Sequence, residues 1–273
     1  MKINKYSSLG NDIILVQSSK QDLVANSSTI HKLLMNKNIK YDQWISVKAL
    51  VDTQNNFGVT IFNQDGSSAE NCMNGALCLA KHLEKTSKDL KKEFNIKTVF
   101  GQWIIRSLKK DSYSVKMKLP NATILNQRTL EKNGLDQCNI SLSNNTNINL
   151  SLINMGNPHA VFFSKDIKSI PLISWGEDLQ QSKYFPNGVN LSLAVIKNRK
   201  QLHLRIYERG VGETKSCGSA ACASVMTGIR NGYLDHKVSV VFKNGTLNIS
   251  YDQNKNMIEV IGSVDDLGEI CTD

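Results

Sequence analysis

No run of apolar residues in this 273-residue chain approaches the roughly 20 that a helix needs to cross a bilayer, so no transmembrane segment is expected. The first apolar run, Ile13 to Val16, is too short for the core of a secretory signal, and a cytoplasmic location is expected. The six cysteines, at 72, 78, 138, 217, 222 and 271, form no Cys-x-x-Cys pair and no zinc spacing. A metal site is therefore not expected, and in the cytosol the thiols should be reduced. Cys271, third from the end, makes no prenylation box. Gly210-Val211-Gly212 lacks the Gly-Lys-Ser/Thr that would complete a phosphate loop. The net charge of +9 is spread along the chain; its two clusters, Lys85 to Lys92 and Lys197 to Lys200, read as solvated surface. No nucleic-acid partner and no membrane partner are expected.

Two short stretches resemble copies of one another. Asn71-Cys72-Met73-Asn74-Gly75-Ala76 and Ser216-Cys217-Gly218-Ser219-Ala220-Ala221 each follow a polar, turn-rich run and lead into residues of high helical propensity. Both cysteines are thereby placed at helix N-termini, where unpaired N–H groups and the helix dipole favour an anion, either a thiolate or a substrate carboxylate. Two matched thiols suit inversion at a carbon bearing hydrogen. A thiolate removes the proton from one face and a thiol delivers another to the opposite face, while backbone N–H groups stabilise the charge that develops between the two steps. A lone cysteine of this kind is as readily a small buried hydrophobe; the duplication argues for chemistry. Cys217 follows Cys72 by 145 residues, and the length allows one large domain or two medium ones, so two similar halves are expected. A hydrophobic content of 40% and a charged content of 21% are ordinary for a globular chain with a real core.

In chain order, strands are expected at 2–5 and 12–17, split by Tyr6 to Asn11. A helix capped by Ser28 should run to Asn36, followed by strands at 44–50 and 58–62. The run Ala76, Leu77, Leu79, Ala80, Leu83 is apolar around most of its circumference, as a helix buried inside a wrapping sheet would be. Strands are expected at 95–108, bent at Gly101, and at 113–119, with Pro120 as a domain boundary. The Asn-rich 121–147 reads as loop and edge. Beyond it come strands at 148–154 and 160–163 and a short helix at 175–182. A hairpin of 189–196 with 202–207 leads to the second central helix, which runs from Cys217 to near Asn231-Gly232. A hairpin turning at Asn244-Gly245 and a last strand at 257–264 precede the tail. His31, His82, His203 and His236 read as ordinary structural histidines. Strands, a helix and strands thus occur twice.

At these residues the chain resembles the diaminopimelate epimerases. The matching stretches are Leu9-Gly10-Asn11-Asp12, Asp42-Gln43, Asn63 with Asp65-Gly66, Cys72 with Asn74-Gly75-Ala76, and Met155-Gly156-Asn157-Pro158-His159. They continue with Phe185-Pro186-Asn187, Val189-Asn190, Glu208-Arg209-Gly210, Gly212-Glu213-Thr214 and Cys217-Gly218, in the same order over nearly the whole chain. The resemblance implies an α+β fold of two pseudo-symmetric domains, each a mixed, barrel-like sheet wrapped around a central helix, with the site in the cleft between them. The halves are expected at 1–118, joined by 263–273, and at 119–262. The implied enzyme is an isomerase that interconverts LL- and meso-diaminopimelate without pyridoxal phosphate or any other cofactor, as a homodimer, in lysine and peptidoglycan-precursor biosynthesis. Cys72 and Cys217 resemble its two acid/base thiols. Met73, Asn74, Gly218 and Ser219 match positions that grip the reacting carboxylate, and His159 and Glu208 match residues that support the reacting centre. Asn11, Gln43, Asn63, Asn157, Asn190 and Arg209 match substrate contacts. A substrate with two amino-acid heads needs such a set, with a cation for its distal carboxylate and oxygens for its distal ammonium.

The chain departs from the family pattern at Ser7 and Ser8, where a histidine and a glycine are usual, and at Met73, where glycine is usual. Ser219 and Ala220 stand where threonine and glycine are usual. A racemase of the same superfamily acting on a single-headed amino acid such as histidine is the alternative that Met73 keeps open. A redox or metal-binding protein using the same two cysteines is the alternative of another class.

Overall fold

In the computed structural model, the described residues are 2–18, 27–50, 56–69, 71–87, 93–99, 101–109, 111–119 and 136–270. Pro120, the 121–135 part of the Asn-rich stretch, 88–92 of the first lysine cluster, and Cys271 lie outside them. In order the elements are β1 (Lys2–Ser8), β2 (Asn11–Ser18), α1 (Ser27–Asn36), β3 (Gln43–Ala49), β4 (Asn56–Asn63), β5 (Ser68–Ala69), α2 (Met73–Thr86), β6 (Glu93–Thr98), β7 (Gly101–Ser107) and β8 (Ser112–Lys118). Then follow β9 (Asp136–Ser141), β10 (Asn147–Asn154), β11 (Pro158–Phe163), α3 (Leu172–Gln180), β12 (Asn190–Asn198), β13 (Gln201–Glu208), β14 (Gly212–Thr214), α4 (Gly218–Arg230), β15 (Lys237–Phe242), β16 (Gly245–Asp252), β17 (Met257–Ser263) and β18 (Asp265–Glu269). The chain divides into two compact units, Met1–Lys118 with Ile261–Asp273, and Leu119–Val260.

The first unit is a mixed sheet. β1 pairs antiparallel with β18 and β2, β2 parallel with β3, β3 antiparallel with β4, β4 parallel with β6, and β6, β7 and β8 follow antiparallel. The two parallel steps are crossovers, made by α1 and α2. Period-2 alternation assigns the two faces. Ile14, Val16 and Trp44 pack with Ile30 and Leu34 of α1, so Ile13, Leu15, Gln43 and Ile45 face the other way. On that inner side lies α2, packed on β1, β2, β7 and β8 and buried from Met73 through Ala80. The unbroken apolar run Ile13 to Val16 is thus what a strand covered on both faces requires.

The second unit repeats this order. β10 and β11 are antiparallel, β11 and β12 parallel across α3, β12 and β13 antiparallel, β13 and β15 parallel across α4, and β15 and β16 antiparallel. Leu191, Leu193 and Val195 pack on Trp175 and Leu179 of α3, which leaves Asn190 and Ser192 on the side of α4. Every residue from Gly218 to Gly228 is buried. Small side chains let the strands close around α4, and two of its three buried hydroxyls are satisfied within the helix, Ser224 on Ala220 C=O at 2.8 Å and Thr227 on Ala223 C=O at 2.9 Å. An α+β fold with a central helix in each half is what the sequence led one to expect.

Several boundaries differ. Tyr6, Ser7 and Ser8 are paired in the β1–β2 ladder, so the turn is only Leu9 and Gly10, whose φ values of 53° and 79° suit a tight hairpin. The stretch 95–108 is two antiparallel strands rather than one bent strand; Gly101, φ 142°, opens the second. His159 lies within β11 rather than in the turn before it, the helix near 175 begins already at Leu172, and α1 begins at Ser27. The tail after 264 contains β18, which completes the first sheet against β1.

Candidate functional site

Cys72 is the N-cap residue of α2 and Cys217 that of α4, with nearly the same backbone (φ −146°, ψ 99° and φ −145°, ψ 118°). The sequence repeat is therefore a structural one, with each sulfur set at the positive end of a central helix. Both residues are buried, and the five described cysteines, Cys72, Cys78, Cys138, Cys217 and Cys222, are free thiols. Cys78 and Cys222 lie deeper in the same helices; burial pushes both thiols up, Cys222 to about 12, so they are inert packing. Among the described residues no three His, Cys, Asp or Glu side chains are gathered as metal ligands, and no helix is long and apolar enough to cross a membrane.

In the first unit the Gly75 N–H donates to Cys72 Sγ at 3.1 Å, a contact that favours negative charge on the sulfur. Met73 and Asn74 fill the first turn and are buried. Met73 keeps a negative φ, so glycine is not required there. Gln43 and Asn63 are direct partners across β3 and β4, and Gln43 Nε2 donates to Asn63 Oδ1 at 2.9 Å. One pleat further along the same face, Ile45 stands against Gly75, which places the Gln43–Asn63 pair near the Cys72 end of α2. Asn11 opens β2 directly after Gly10. A Cβ on Gly75 would lie 2.6 Å from Ile45 Cδ1 and 3.0 Å from Cys72 Sγ. Gly75→Ala is therefore expected to displace the sulfur and lower turnover by about tenfold or more while the fold persists, a result to be read from α-proton exchange beside a melting curve.

In the second unit Cys217 Sγ is 3.3 Å from Ser219 Oγ. Burial holds its thiol well above the usual range, and the Glu208 carboxylate pushes the same way; the Ser219 hydroxyl and the Ala220 N–H only partly oppose them. Glu208 ends β13 and accepts from Thr214 Oγ1 at 2.5 Å across the β13–β14 hairpin. Thr214 closes the Gly212-Glu213-Thr214 family stretch, and sequence alone assigns it no role. Arg205 braces this hairpin through two bonds to Glu213, at 3.0 and 3.1 Å, and through Ile167 C=O at 2.7 Å. Asn190 Oδ1 accepts the Arg209 N–H at 3.0 Å, and Asn190 Nδ2 donates to Pro158 C=O at 3.0 Å. His159 pairs with Asn190 in register and is fully buried. Its Nε2 lies 2.9 Å from Asn157 Oδ1, an acceptor, so the proton sits on Nε2 and Nδ1 is an acceptor with no hydrogen-bond partner among the described residues. Burial, with help from Arg209, lowers its pKa to about 3, so the ring is neutral. Met73, Asn74, Gln43 and Asn63 thus gather at Cys72, with Asn11 at the start of a strand on the same sheet. Gly218, Ser219, Glu208, Asn190 and His159 lie on the helix and strands of the unit that carries Cys217, and Arg209 and Asn157 lie in turns between those strands.

Residues 151–265 match the family described as diaminopimelate epimerase. A diaminopimelate epimerase of Buchnera aphidicola subsp. Baizongia pistaciae is 31% identical over 266 residues, 96% of this chain and 92% of that protein. One of Teredinibacter turnerae is 30% identical over 263 residues, 96% and 95% of the two. The chain belongs to the diaminopimelate epimerase family. It is an isomerase of the epimerase kind. Among solved structures, a probable proline racemase from Agrobacterium radiobacter superposes with a TM-score of 0.70 at 11% identity, over 99% of this chain and 92% of that one. That likeness is one of fold.

Proposed function

We propose that this chain interconverts LL- and meso-2,6-diaminopimelate by a two-base mechanism that needs no pyridoxal phosphate, as a cytoplasmic homodimer serving lysine and peptidoglycan-precursor synthesis. One half, 1–118 with 263–273, supplies Cys72, and the other, 119–262, supplies Cys217. The observation that carries the reading is the matched placement of two free thiols as N-caps of buried helices in a chain of this family. Cys72 Sγ, which receives an N–H, takes the α-proton; Cys217, whose thiol is raised well above the usual range, holds a proton to give. Met73, Asn74, Gly218 and Ser219 at the helix starts hold the reacting carboxylate, whose charge grows as the carbanion forms. Glu208 and the Nδ1 of neutral His159 support the reacting centre. Arg209 binds the distal carboxylate, and Asn11, Gln43, Asn63, Asn157 and Asn190 supply the remaining polar partners.

The test is incubation of reduced protein in deuterium oxide with LL-diaminopimelate and, separately, with single L-amino acids including histidine. α-Deuteration with meso product from diaminopimelate alone is the expected outcome. Inversion of a single-headed amino acid instead would replace this reading by the racemase that Met73 leaves open.

A further inference from the structure

α3 ends on Gln180, a residue to which neither the cysteine repeat nor the family motifs give a role. Its Nε2 donates to Val189 C=O at 2.9 Å and to Gly176 C=O at 3.0 Å, and its Oε1 accepts the Val189 N–H at 3.2 Å. One side-chain amide therefore takes both polar groups of the residue just before Asn190. Such reach depends on α3 lying very close to β13: a Cβ on Gly176 would fall 2.3 Å from the Tyr207 ring. Gly188, at φ 72°, leaves no room either, since a Cβ there would be 2.4 Å from Gln180 Oε1 and 3.0 Å from Arg209 Cγ and Cδ. The Gln180 amide and the Arg209 stem thus both close on Gly188. Arg209 is tied at two further points of the same loop, by its N–H to Asn190 Oδ1 at 3.0 Å and by its Nη1 to Asn187 C=O at 3.2 Å.

We infer that Gln180 is a positioning residue, fixing the 187–190 loop so that Arg209 presents its guanidinium, and Asn190 its amide, in one geometry to the distal carboxylate of a two-headed substrate. An arginine stem that must be ordered on binding costs affinity, and one already packed does not. The inference rests on the reading of Arg209 given under the proposed function. A residue that only ended α3 would affect stability and leave substrate binding alone.

Steady-state epimerisation of LL-diaminopimelate by the wild type, Gln180→Ala and Gln180→Met, with melting curves for all three, separates these cases. Methionine keeps the length and helical propensity while removing all three hydrogen bonds, so it decides the matter if the alanine variant does not fold. KM is expected to rise about tenfold with kcat within about threefold, which is the loss of roughly one hydrogen bond of binding energy. A lowered melting temperature with KM within twofold of wild type, or a fall in kcat alone, overturns the role of Gln180. A wild type that neither epimerises nor α-deuterates diaminopimelate overturns the proposed function itself, and the substrate end of this inference with it.

Discussion

Cys72→Ala and Cys217→Ala are each expected to lower interconversion of LL- and meso-diaminopimelate by roughly 10³ or more. Inversion needs a base on one face and an acid on the other, and each thiol carries a single proton, so neither can serve both faces in one turnover. The two losses should not add, because a site that lacks either member has already lost inversion. The double variant should be about as slow as each single one. Both sulfurs lie at helix starts, where alanine is tolerated sterically, and Cys217 makes no side-chain capping bond, so the fold should survive. Cys72 does accept one, from Gly75, and its removal should cost about 1 kcal/mol of helix stability. The check is chiral product analysis beside α-deuteration for both singles and the double. A single variant that keeps more than about a tenth of wild-type inversion would sink the two-base mechanism, and a double variant far slower than both would show that the thiols act independently.

The electrostatic setting of Cys217 is not legible in the sequence, although the repeat that pairs it with Cys72 is. Cysteine followed by small residues after a polar turn signals an N-cap by local chemistry alone, and both cysteines proved to be N-caps. Burial raises the Cys217 thiol first, and the Glu208 carboxylate adds to it, nine residues earlier in sequence and brought to it by the fold of β13, β14 and α4. Long-range pairings also account for the errors of boundary. The run 95–108 looks like one strand because Val99 carries no turn chemistry, yet its two halves pair with each other in register from Glu93 and Arg106 to Thr98 and Gly101. The tail became β18 because β1 offered an open edge, and nothing in Asp265 to Glu269 alternates in a way that announces a strand.

The same kind of pairing puts His159 in a strand where the sequence reads as a turn. Pro158 reads as a loop residue, but at the first position of a strand its missing N–H costs nothing. The register then sets His159 beside Asn190, on the face turned toward α4. The corresponding position of the first unit, paired with Gln43, is Ile13. The two halves thus share a backbone plan while only the second half places an imidazole there, a distinction that the family motif carried and hydrophobic periodicity did not.

The stability of this protein should begin to fall in acid well above the pH at which its carboxylates titrate. His82 is fully buried in α2, its Nε2 2.9 Å from Gln17 Oε1 and its Nδ1 3.1 Å from the Tyr6 hydroxyl, which donates to it. Burial lowers its pKa to about 4, with the charges of Lys85 and Lys2 adding, and His159 is lowered to about 3. An unfolded histidine titrates near 6.5, so between that pH and about 4 the unfolded chain binds two protons that the folded chain refuses. Stability is then complete above pH 6.5 and falls as pH drops toward 4, by on the order of 3 kcal/mol for each histidine, a large part of the 5–15 kcal/mol that holds a typical domain. His203, lowered less and partly exposed, adds a little in the same direction. Asp65, Asp166 and Asp266 are held below 3.8, so their protonation destabilises the fold only in a lower window. Urea unfolding at pH 7, 5.5 and 4.5 should show this slope, and His82→Gln should be less stable at pH 7 yet lose less on acidification. A flat profile from pH 6.5 to 4.5 would mean that both imidazoles find a way to charge inside the fold.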